Sequence, residues 1–332
     1  MARIKKKTTV EPGGQEPGNG PSKPQDQEPL PKQEENISFG AIINAVFTSF
    51  GPDAPENSDK IRDDLIKQFL NQELNINPTS RSYNVLIFFD MGVMVKTDAD
   101  NIYSAAAKFR EKKPLLLILY STGGDIGSAY LIGKLCREYS TGKFVIVVPR
   151  EAKSSATLLC CAADEIHMGS LSELGPIDPQ INKLPALGLK SSIEHIASLI
   201  KDYPQASEMF AKYLNLSLNP HSLGYYERVA ESASQYAERL LKTHSKNLKQ
   251  DPKQIANALV YSYKDHGFVI DKTEALEIFG DKIIKKDTDE YGLGNHMYGK
   301  LMLISRIASL VGQLFYLIGS CDSQPQFIKK PS

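Results

Sequence analysis

Two short segments contain the residue types that acyl-transfer chemistry needs. The first is Tyr120–Asp125 (YSTGGD), where adjacent glycines allow backbone N–H groups to face a ligand without obstruction by side chains. The second is Pro149–Thr157 (PREAKSSAT), which contains Ser154. A serine at the start of a helix lies where the helix dipole and the free amides stabilise negative charge. The two segments therefore supply a candidate oxyanion hole and a candidate nucleophile.

Each segment also has a purely structural explanation. Adjacent glycines occur in ordinary strand–helix turns, and Ser154 could serve only as the N-cap of the helix that follows it. Asp125 is a candidate N-cap for the helix after the glycines. Because both segments follow successive predicted strands, and open α/β sheets bind ligands at the carboxyl ends of their strands, their combination favours the functional explanation.

Apolar runs alternate with helical patterns around these segments. The runs predict strands at Asn84–Phe89, Pro114–Tyr120, Phe144–Val148 and Glu165–Met168. The helical patterns lie at Ala99–Lys112, Gly127–Tyr139 and Ser155–Ala163. This alternation predicts βαβ units and a parallel sheet, and the near-continuous apolar strands indicate that both sheet faces are covered.

The flanking regions are helical in pattern. Residues 37–76 predict helices broken at Gly51–Pro52, residues 188–247 are helix-rich without a strand, and residues 298–319 predict a last long apolar helix. We expect five parts. They are a proline-rich disordered tail (residues 1–36), a helical segment (37–82), a catalytic core (83–187), a helical extension that carries the oligomerisation surfaces (188–320) and a second tail (321–332).

Composition excludes several classes. The chain has 332 residues, and its 39 Lys+Arg balance 39 Asp+Glu, which argues against a nucleic-acid binder that depends on bulk phosphate attraction. The four cysteines lack CxxC spacing, and the vicinal Cys160 and Cys161 lie in an apolar run, which indicates reduced, buried thiols of a cytosolic protein. The six histidines are scattered, so we expect no metal site and no cofactor.

Membrane insertion is not the favoured interpretation. The first 36 residues lack the apolar core of a secretory leader. Phe39–Phe50 is too short to span a bilayer, and Leu301–Ile318 contains Arg306 and several polar residues. We interpret both as core or interface helices and expect a cytoplasmic protein; membrane association is the less favoured alternative.

Familiar enzyme motifs are absent. Gly127–Lys134 (GSAYLIGK) resembles a P-loop, but five residues rather than four separate its glycines, and Leu135 stands where a Ser or Thr must bind magnesium. The sequence contains no GxGxxG, no HExxH and no GxSxG. Nucleotide-binding, zinc-protease and common α/β-hydrolase interpretations are therefore not supported.

The two loops and their surroundings resemble a known family. STGGDIGSAYLI and the later AKSSATLLCCAADEIHMGSLSELGPIDPQ are similar to the ClpP/crotonase superfamily and, within it, to the serine dehydrogenase proteinase family, relatives of signal peptide peptidase SppA. The similarity covers about residues 84–182, and residues 266–280 (HGFVIDKTEALEIFG) resemble a C-terminal motif of that family. The resemblance implies an α/β, ClpP/crotonase-like core with a helical C-terminal extension.

The resemblance also implies residue roles. Ser154 corresponds to the nucleophile, and the amides of Gly124 and Ser155 correspond to the oxyanion hole. Gly123 and Asp125 belong to the supporting glycine loop. The chain departs from the family pattern after Ser154, where Ser-Ala replaces the usual Ala-Gly or Met-Gly.

The general base stays open between several residues. Clp-type proteases place a histidine on a later strand, but the corresponding Ser172–Pro179 contains none, and SppA-type enzymes use a lysine instead. The candidates are Lys153, Asp178, Lys183 and His266. Asp178 could equally cap the turn beside it.

From the resemblance we expect a serine peptidase that hydrolyses peptide bonds through Ser154. Its partners would be a peptide or an unfolded protein segment and further copies of itself, with no nucleic acid. One alternative is a catalytically inactive scaffold or binding protein with the same fold, and a less favoured one is a crotonase-type acyl-thioester enzyme.

Overall fold

The predicted apolar runs form a central sheet in the computed structural model, which describes residues 36–181, 184–217 and 220–330. The strands, in chain order, are β1 (Asn84–Phe89), β2 (Leu115–Tyr120), β3 (Phe144–Val148), β4 (Glu151–Ala152), β5 (Glu165–Met168), β6 (Glu173–Leu174), β7 (Gln180–Ile181), β8 (Leu184–Pro185), β9 (Ile270–Asp271), β10 (Ile284–Lys286), β11 (Gln313–Gly319) and β12 (Gln326–Lys329).

Helices surround the sheet. They are α1 (Phe39–Ser49), α2 (Ser58–Ile76), α3 (Lys96–Ala106), α4 (Ile126–Tyr139), α5 (Ser155–Cys160), α6 (Ala186–Asp202), α7 (Ser207–Ser217), α8 (Pro220–Leu241), α9 (Pro252–Tyr261), α10 (Lys272–Phe279) and α11 (Asp289–Leu310). Short 3₁₀ turns lie at Pro78–Ser82, Pro204–Ala206 and Lys242–Asn247. Helices α3 and α5 end earlier than their patterns predict.

The central sheet has the order β10-β5-β3-β2-β1-β11-β12 in the described part of the chain. Its strands from β10 to β1 are mutually parallel, as predicted, whereas β11 and β12 pair antiparallel beside β1. One face packs against α3, α4, α5, α8 and α9, and the other against α1, α2 and α11. Alternate residues of β1 enter the two resulting cores, so both faces are covered as predicted.

The C-terminal region differs from the prediction. Residues 298–319 do not form one helix, because α11 ends at Leu310 and β11 begins at Gln313. Gly312 between them has φ +72°, a left-handed conformation that glycine adopts without strain. The predicted tail over residues 321–332 contains β12, which pairs with β11. A continuous apolar run fits a helix or a strand equally well, which explains the error.

A second sheet of three short strands stands apart from the first, in the order β4-β6-β9. Glu151–Ala152 pairs parallel with Glu173–Leu174, which in turn pairs antiparallel with Ile270–Asp271. This small sheet joins three segments that lie far apart in the sequence. It therefore places the serine loop, the segment that contains Asp178 and the segment that contains His266 side by side.

The structure also bears on the cysteines, on membrane helices and on the N-terminal tail. The four cysteines are free and buried as expected, and burial raises the pKa of the Cys160 thiol well above its usual value. Within the residues given above, no helix is both long enough and apolar enough to cross a membrane. The predicted N-terminal tail, apart from its last residue, lies outside the described residues.

Candidate active site

Ser154 occupies an unusual backbone conformation between β4 and α5. Its φ of 52° and ψ of −119° lie in a region that few residues other than glycine adopt. Such conformations cost on the order of 1–3 kcal/mol and persist only where the surroundings enforce them. The side chain makes no capping hydrogen bond to α5. The purely structural explanation of Ser154, that its side chain caps helix α5, is therefore wrong.

The backbone of Gly123 approaches Lys153 and Ser154 closely. A Cβ at position 123 would lie 2.6 Å from the Lys153 carbonyl oxygen and 2.8 Å from Ser154 Cβ. Gly123 also has φ +100°, which disfavours any side chain there. The structure thus brings together the two loops that the sequence singled out, and it leaves no space for a side chain between them.

The backbone N–H groups of Gly124 and Ser155 have no hydrogen-bond acceptor among the described residues. These are the positions that the resemblance assigns to the oxyanion hole. The Gly123 N–H is not available, because it donates to Ser121 Oγ at 3.0 Å. At Gly124, with φ +150°, a Cβ would lie 2.4 Å from the Met94 carbonyl oxygen, so only glycine fits there as well.

The adjacent Ser155 is a poor candidate for the nucleophile. Its side chain is buried, with only 1% of the residue exposed, and its hydroxyl lies 3.9 Å from Met94 Sδ. Ser154 is partly exposed. Geometry therefore favours Ser154 as the residue whose hydroxyl a substrate can reach.

Lys153 is held away from a role as base by its own contacts. Its Nζ donates to the carbonyl oxygens of Leu174 and Phe268 at 3.3 and 3.4 Å, and it lies 3.5 Å from Glu173 Oε1. The stem packs on Gly175, where a Cβ would meet Lys153 Cδ at 2.6 Å. Lys153 thus connects the serine loop to β6 and to the segment before β9.

Two of the remaining base candidates form a pair. His266 Nδ1 lies 3.9 Å from Asp178 Oδ2, and the Asp178 side chain is only 5% exposed. Burial raises the pKa of Asp178, while the positive charge available on His266 opposes that rise. Neither Asp178 Oδ1 nor His266 Nδ1 has a hydrogen-bond partner among the described residues. Asp178 therefore does not cap the neighbouring turn.

One contact joins the serine loop to the segment that contains His266. The contact from Lys153 Nζ to the Phe268 carbonyl ties the residue before Ser154 to the segment that follows His266. Sequence reasoning named Asp178 and His266 as separate candidates and missed that they meet. The available signal was the C-terminal motif that begins at His266, but only the pairing of β6 with β9 shows which carboxylate it faces.

The other candidates have simpler outcomes. Lys183 lies outside the described residues. Asp125 caps α4 as predicted, since its Oδ2 accepts the Ser128 N–H at 2.7 Å. In the described part of the chain, no group of three or more His, Cys, Asp or Glu side chains is arranged to hold a metal ion.

This combination of a parallel sheet, a strained serine and a facing glycine loop is typical of a ClpP-like serine proteinase. Residues 84–203 match the model of a family described as the ClpP-like SDH-type serine proteinases. The resemblance inferred from the two loops is therefore confirmed over this segment, and so is the ClpP-like α/β fold.

Two curated relatives of the organism Methanocaldococcus jannaschii match part of the chain. Uncharacterized protein MJ0137 is 35% identical over 97 residues, which are 29% of this chain and 34% of that protein. Uncharacterized protein MJ1495 is 33% identical over 92 residues, which are 28% of this chain and 31% of that protein. The chain thus matches about a third of the length of each, and their names state no activity.

A search of solved structures finds the 1510-N membrane-bound stomatin-specific protease, in a serine-to-alanine mutant form. The superposition covers 75% of this chain and 92% of that chain, with a TM-score of 0.39 and 11% sequence identity. A likeness of this size supports no conclusion about the site.

The contact at Gly123 generates a stability prediction. Gly123→Ala is expected to lower the free energy of unfolding by about 1–3 kcal/mol, because the new Cβ meets backbone at a positive φ. Gly127→Ala is the matched control: position 127 lies in α4, and the nearest atom to its Cβ would be Asp125 Oδ2 at 3.4 Å. This control should be neutral or up to about 1 kcal/mol more stable. Urea denaturation measures both, and equal stability of the two variants would contradict the contact.

Proposed function

We propose that this protein is a serine peptidase that hydrolyses peptide bonds by acyl transfer through Ser154. The observation that carries the proposal is the strained Ser154, whose hydroxyl is free of capping and whose conformation is enforced by the glycine loop. Strain at a partly exposed serine is unfavourable for folding, and residues with such strain cluster at active sites. The match to a ClpP-like serine proteinase family over residues 84–203 supports the same activity.

The oxyanion of the tetrahedral intermediate would be held by backbone amides. The N–H groups of Gly124 and Ser155 belong to the two loops that meet at Ser154, and both lack an acceptor among the described residues. Amides fixed in advance toward developing negative charge are among the strongest contributions to catalysis. The departure at Ala156 does not disturb this arrangement, because Ala156 is buried and its N–H donates to the Lys153 carbonyl at 2.8 Å.

His266 is the best candidate for the general base, with Asp178 behind it. Ser154 Oγ would attack the substrate carbonyl carbon while its proton passes to His266 Nε2. His266 would then return this proton to the leaving amine as the peptide C–N bond breaks, which leaves an acyl-enzyme. Water would next attack the ester with His266 as base again, which releases the carboxylic acid and restores Ser154. Asp178 would accept a hydrogen bond from the His266 Nδ1–H, which fixes the ring orientation and stabilises the protonated imidazole while the proton stays on Nδ1.

One distance bears on the alternative of an inactive scaffold with this fold. The 3.9 Å separation of His266 Nδ1 and Asp178 Oδ2 is longer than a hydrogen bond. Catalytic hydrogen bonds are often long without substrate and shorten in the complex, so this distance is compatible with both functions.

Reactive-serine labelling separates the two functions. With a fluorophosphonate probe, wild type and Ser155→Ala should be labelled, Ser154→Ala should not, and His266→Ala should react about two to four orders of magnitude more slowly. Hydrolysis of an unfolded protein such as fluorescein-labelled casein should follow the same order. Loss of labelling in Ser155→Ala alone would move the nucleophile to Ser155. No labelling of folded wild type would favour the scaffold.

Asp178 generates a prediction in which stability and activity change in opposite directions. Because its native pKa is raised above the unfolded value of 3.8, the folded state binds more protons, and stability falls as the pH rises through that window. At pH 7 Asp178→Asn should therefore unfold at higher urea concentration than wild type, and this difference should shrink as the pH is lowered toward 4. Its kcat should fall about 10³–10⁴-fold.

The exposed neighbour Asp265 supplies the control for that experiment. Asp265→Asn keeps the acceptor for the Gly267 N–H and should change neither quantity. Full activity of Asp178→Asn would remove Asp178 from the mechanism. A stability of Asp178→Asn below that of wild type at pH 7 would show that the buried carboxylate is compensated by other contacts.

We further propose that the protein is a cytoplasmic homo-oligomer that acts on peptides or unfolded segments, and that residues 188–320 carry its assembly surface. Support comes from α7, which packs on α6 and presents Met209, Tyr213 and Leu216 at helical spacing with 62%, 60% and 87% of each residue exposed. Exposed apolar patches of this kind mark interaction sites.

Light scattering tests the assembly proposal. Wild type should have a mass that is a multiple of the 36.8 kDa chain, and Tyr213→Glu should reduce it by placing a charge in the apolar face. Lys212→Glu is the control, since Lys212 lies one residue away and is 74% exposed in its side chain. A monomeric wild type would contradict the assembly.

A further inference from the structure

A buried carboxylate lies behind the glycine loop. Asp90 directly follows β1, and only 2% of it is exposed. Its Oδ1 accepts the Gly92 N–H at 2.7 Å and its Oδ2 accepts the Ser121 hydroxyl at 3.0 Å. No ion pair joins Asp90 to a cationic side chain among residues 36–181, 184–217 and 220–330. A buried charge without a cationic partner is costly for folding, which suggests that it serves a further purpose.

Ser121 connects this carboxylate to the glycine loop. Ser121 is fully buried, and its Oγ accepts the Gly123 N–H at 3.0 Å while it donates to Asp90. The direction of this series of hydrogen bonds follows from its donors, since the Gly123 N–H can only donate to Ser121 Oγ and the Ser121 hydroxyl donates to Asp90. The hydroxyl proton must point to Asp90, so a lone pair of Ser121 Oγ is left for the Gly123 amide.

Met94 fixes the next peptide group from the other side. The Met94 N–H donates to the Gly123 carbonyl at 2.8 Å, and the Asp125 N–H donates to the Met94 carbonyl at 2.9 Å. In a trans peptide the C=O and the following N–H point in opposite directions. Because the Gly123 carbonyl faces Met94, the Gly124 N–H must face away from it. The orientation of the proposed oxyanion-hole amide is thus set by contacts on either side of Gly123.

We infer that Asp90 is a positioning residue for the oxyanion hole, acting through Ser121 and the Gly123 amide on the Gly124 N–H. This inference rests on the proposed peptidase function. It assigns to the segment after β1 a task that neither the motifs nor the resemblance indicated. The loop needs this support because its two glycines, with φ of +100° and +150°, have no side chains of their own to hold them.

The chemistry of the two hydrogen bonds explains why an isosteric amide is a poor replacement. The Gly92 N–H and the Ser121 O–H are two donors that converge on the two oxygens of one carboxylate. Asparagine has one acceptor oxygen and one donor NH₂ group, so it satisfies only one of them. In Asp90→Asn, either the Gly92 N–H or the Ser121 hydroxyl faces the donor NH₂ group. The hydrogen bonds that link residue 90 to Gly123 through Ser121 are therefore weakened.

The test compares Asp90→Asn with a matched buried carboxylate. Asp98 is also buried, but its Oδ2 accepts only the Val95 N–H, which the oxygen of asparagine can also accept. We expect kcat for peptide hydrolysis to fall about 10–100-fold in Asp90→Asn with KM within twofold of wild type, since an oxyanion contact acts in the transition state. Ser121→Ala should show the same split, and the double variant should lose no more than either single one. Asp98→Asn should keep the wild-type kcat.

Amide hydrogen exchange supplies a readout that does not need catalysis. In peptides that contain residues 123–125, exchange should be at least about tenfold faster in Asp90→Asn than in wild type, and unchanged in Asp98→Asn. If wild type does not hydrolyse peptides, the proposed function fails, and the exchange rates still decide whether Asp90 holds the loop. Unchanged exchange in Asp90→Asn, or equal losses of kcat in Asp90→Asn and Asp98→Asn, would overturn the inference.

Discussion

The close approach of Gly123 to the backbone of Lys153 and Ser154 is the constraint on which the whole site depends. It removes the space for any side chain between the two loops, and it holds Ser154 in a conformation that the residue would not adopt alone. The same approach brings together the two loops that contain the amides of Gly124 and Ser155. The candidate nucleophile and the candidate oxyanion hole thus depend on the same backbone contact.

Each of the two sheets positions a different part of that contact. The central sheet, covered by helices on both faces, ends β2 and β3 at the same edge and so fixes where the loops begin. The small sheet of β4, β6 and β9 fixes where the serine loop ends relative to Asp178 and His266. Lys153 reinforces this second frame through the carbonyl oxygens of Leu174 and Phe268. The strain at Ser154 is offset by this packing, not by local sequence preference.

Local patterns were sufficient to predict β1, β2, β3, β5 and the two loops, because most of these strands are short apolar runs whose ends are marked by polar or glycine residues. The fifth parallel strand, β10 (Ile284–Lys286), was not predicted. The bounds of β1, β3 and β5 are those predicted. The same reasoning failed at residues 313–319, where an apolar run continues from a helix into a strand and only the pairing of β11 with β1 decides its structure.

For the candidate site, too, residues within one segment could be predicted, whereas contacts between distant segments could not. Ser154 and the glycines could be identified because each lies in a short motif that directly follows a predicted strand. The meeting of Asp178 with His266, and the buried link from Asp90 to Ser121, depend on contacts between distant segments. No periodicity or spacing within one segment carries that information, and a buried aspartate after a strand looks in sequence like any turn residue.

The small sheet has a consequence for the newly synthesised chain. The serine loop leaves the ribosome well before Ile270, whose pairing with Leu174 completes the small sheet. Strand β11, which pairs with β1, is synthesised later still. Because such distant pairings form late in folding, a growing chain contains Ser154 before it contains the segment of His266. If these two residues act together as proposed, the nascent chain would have no complete site until that segment has been synthesised and paired.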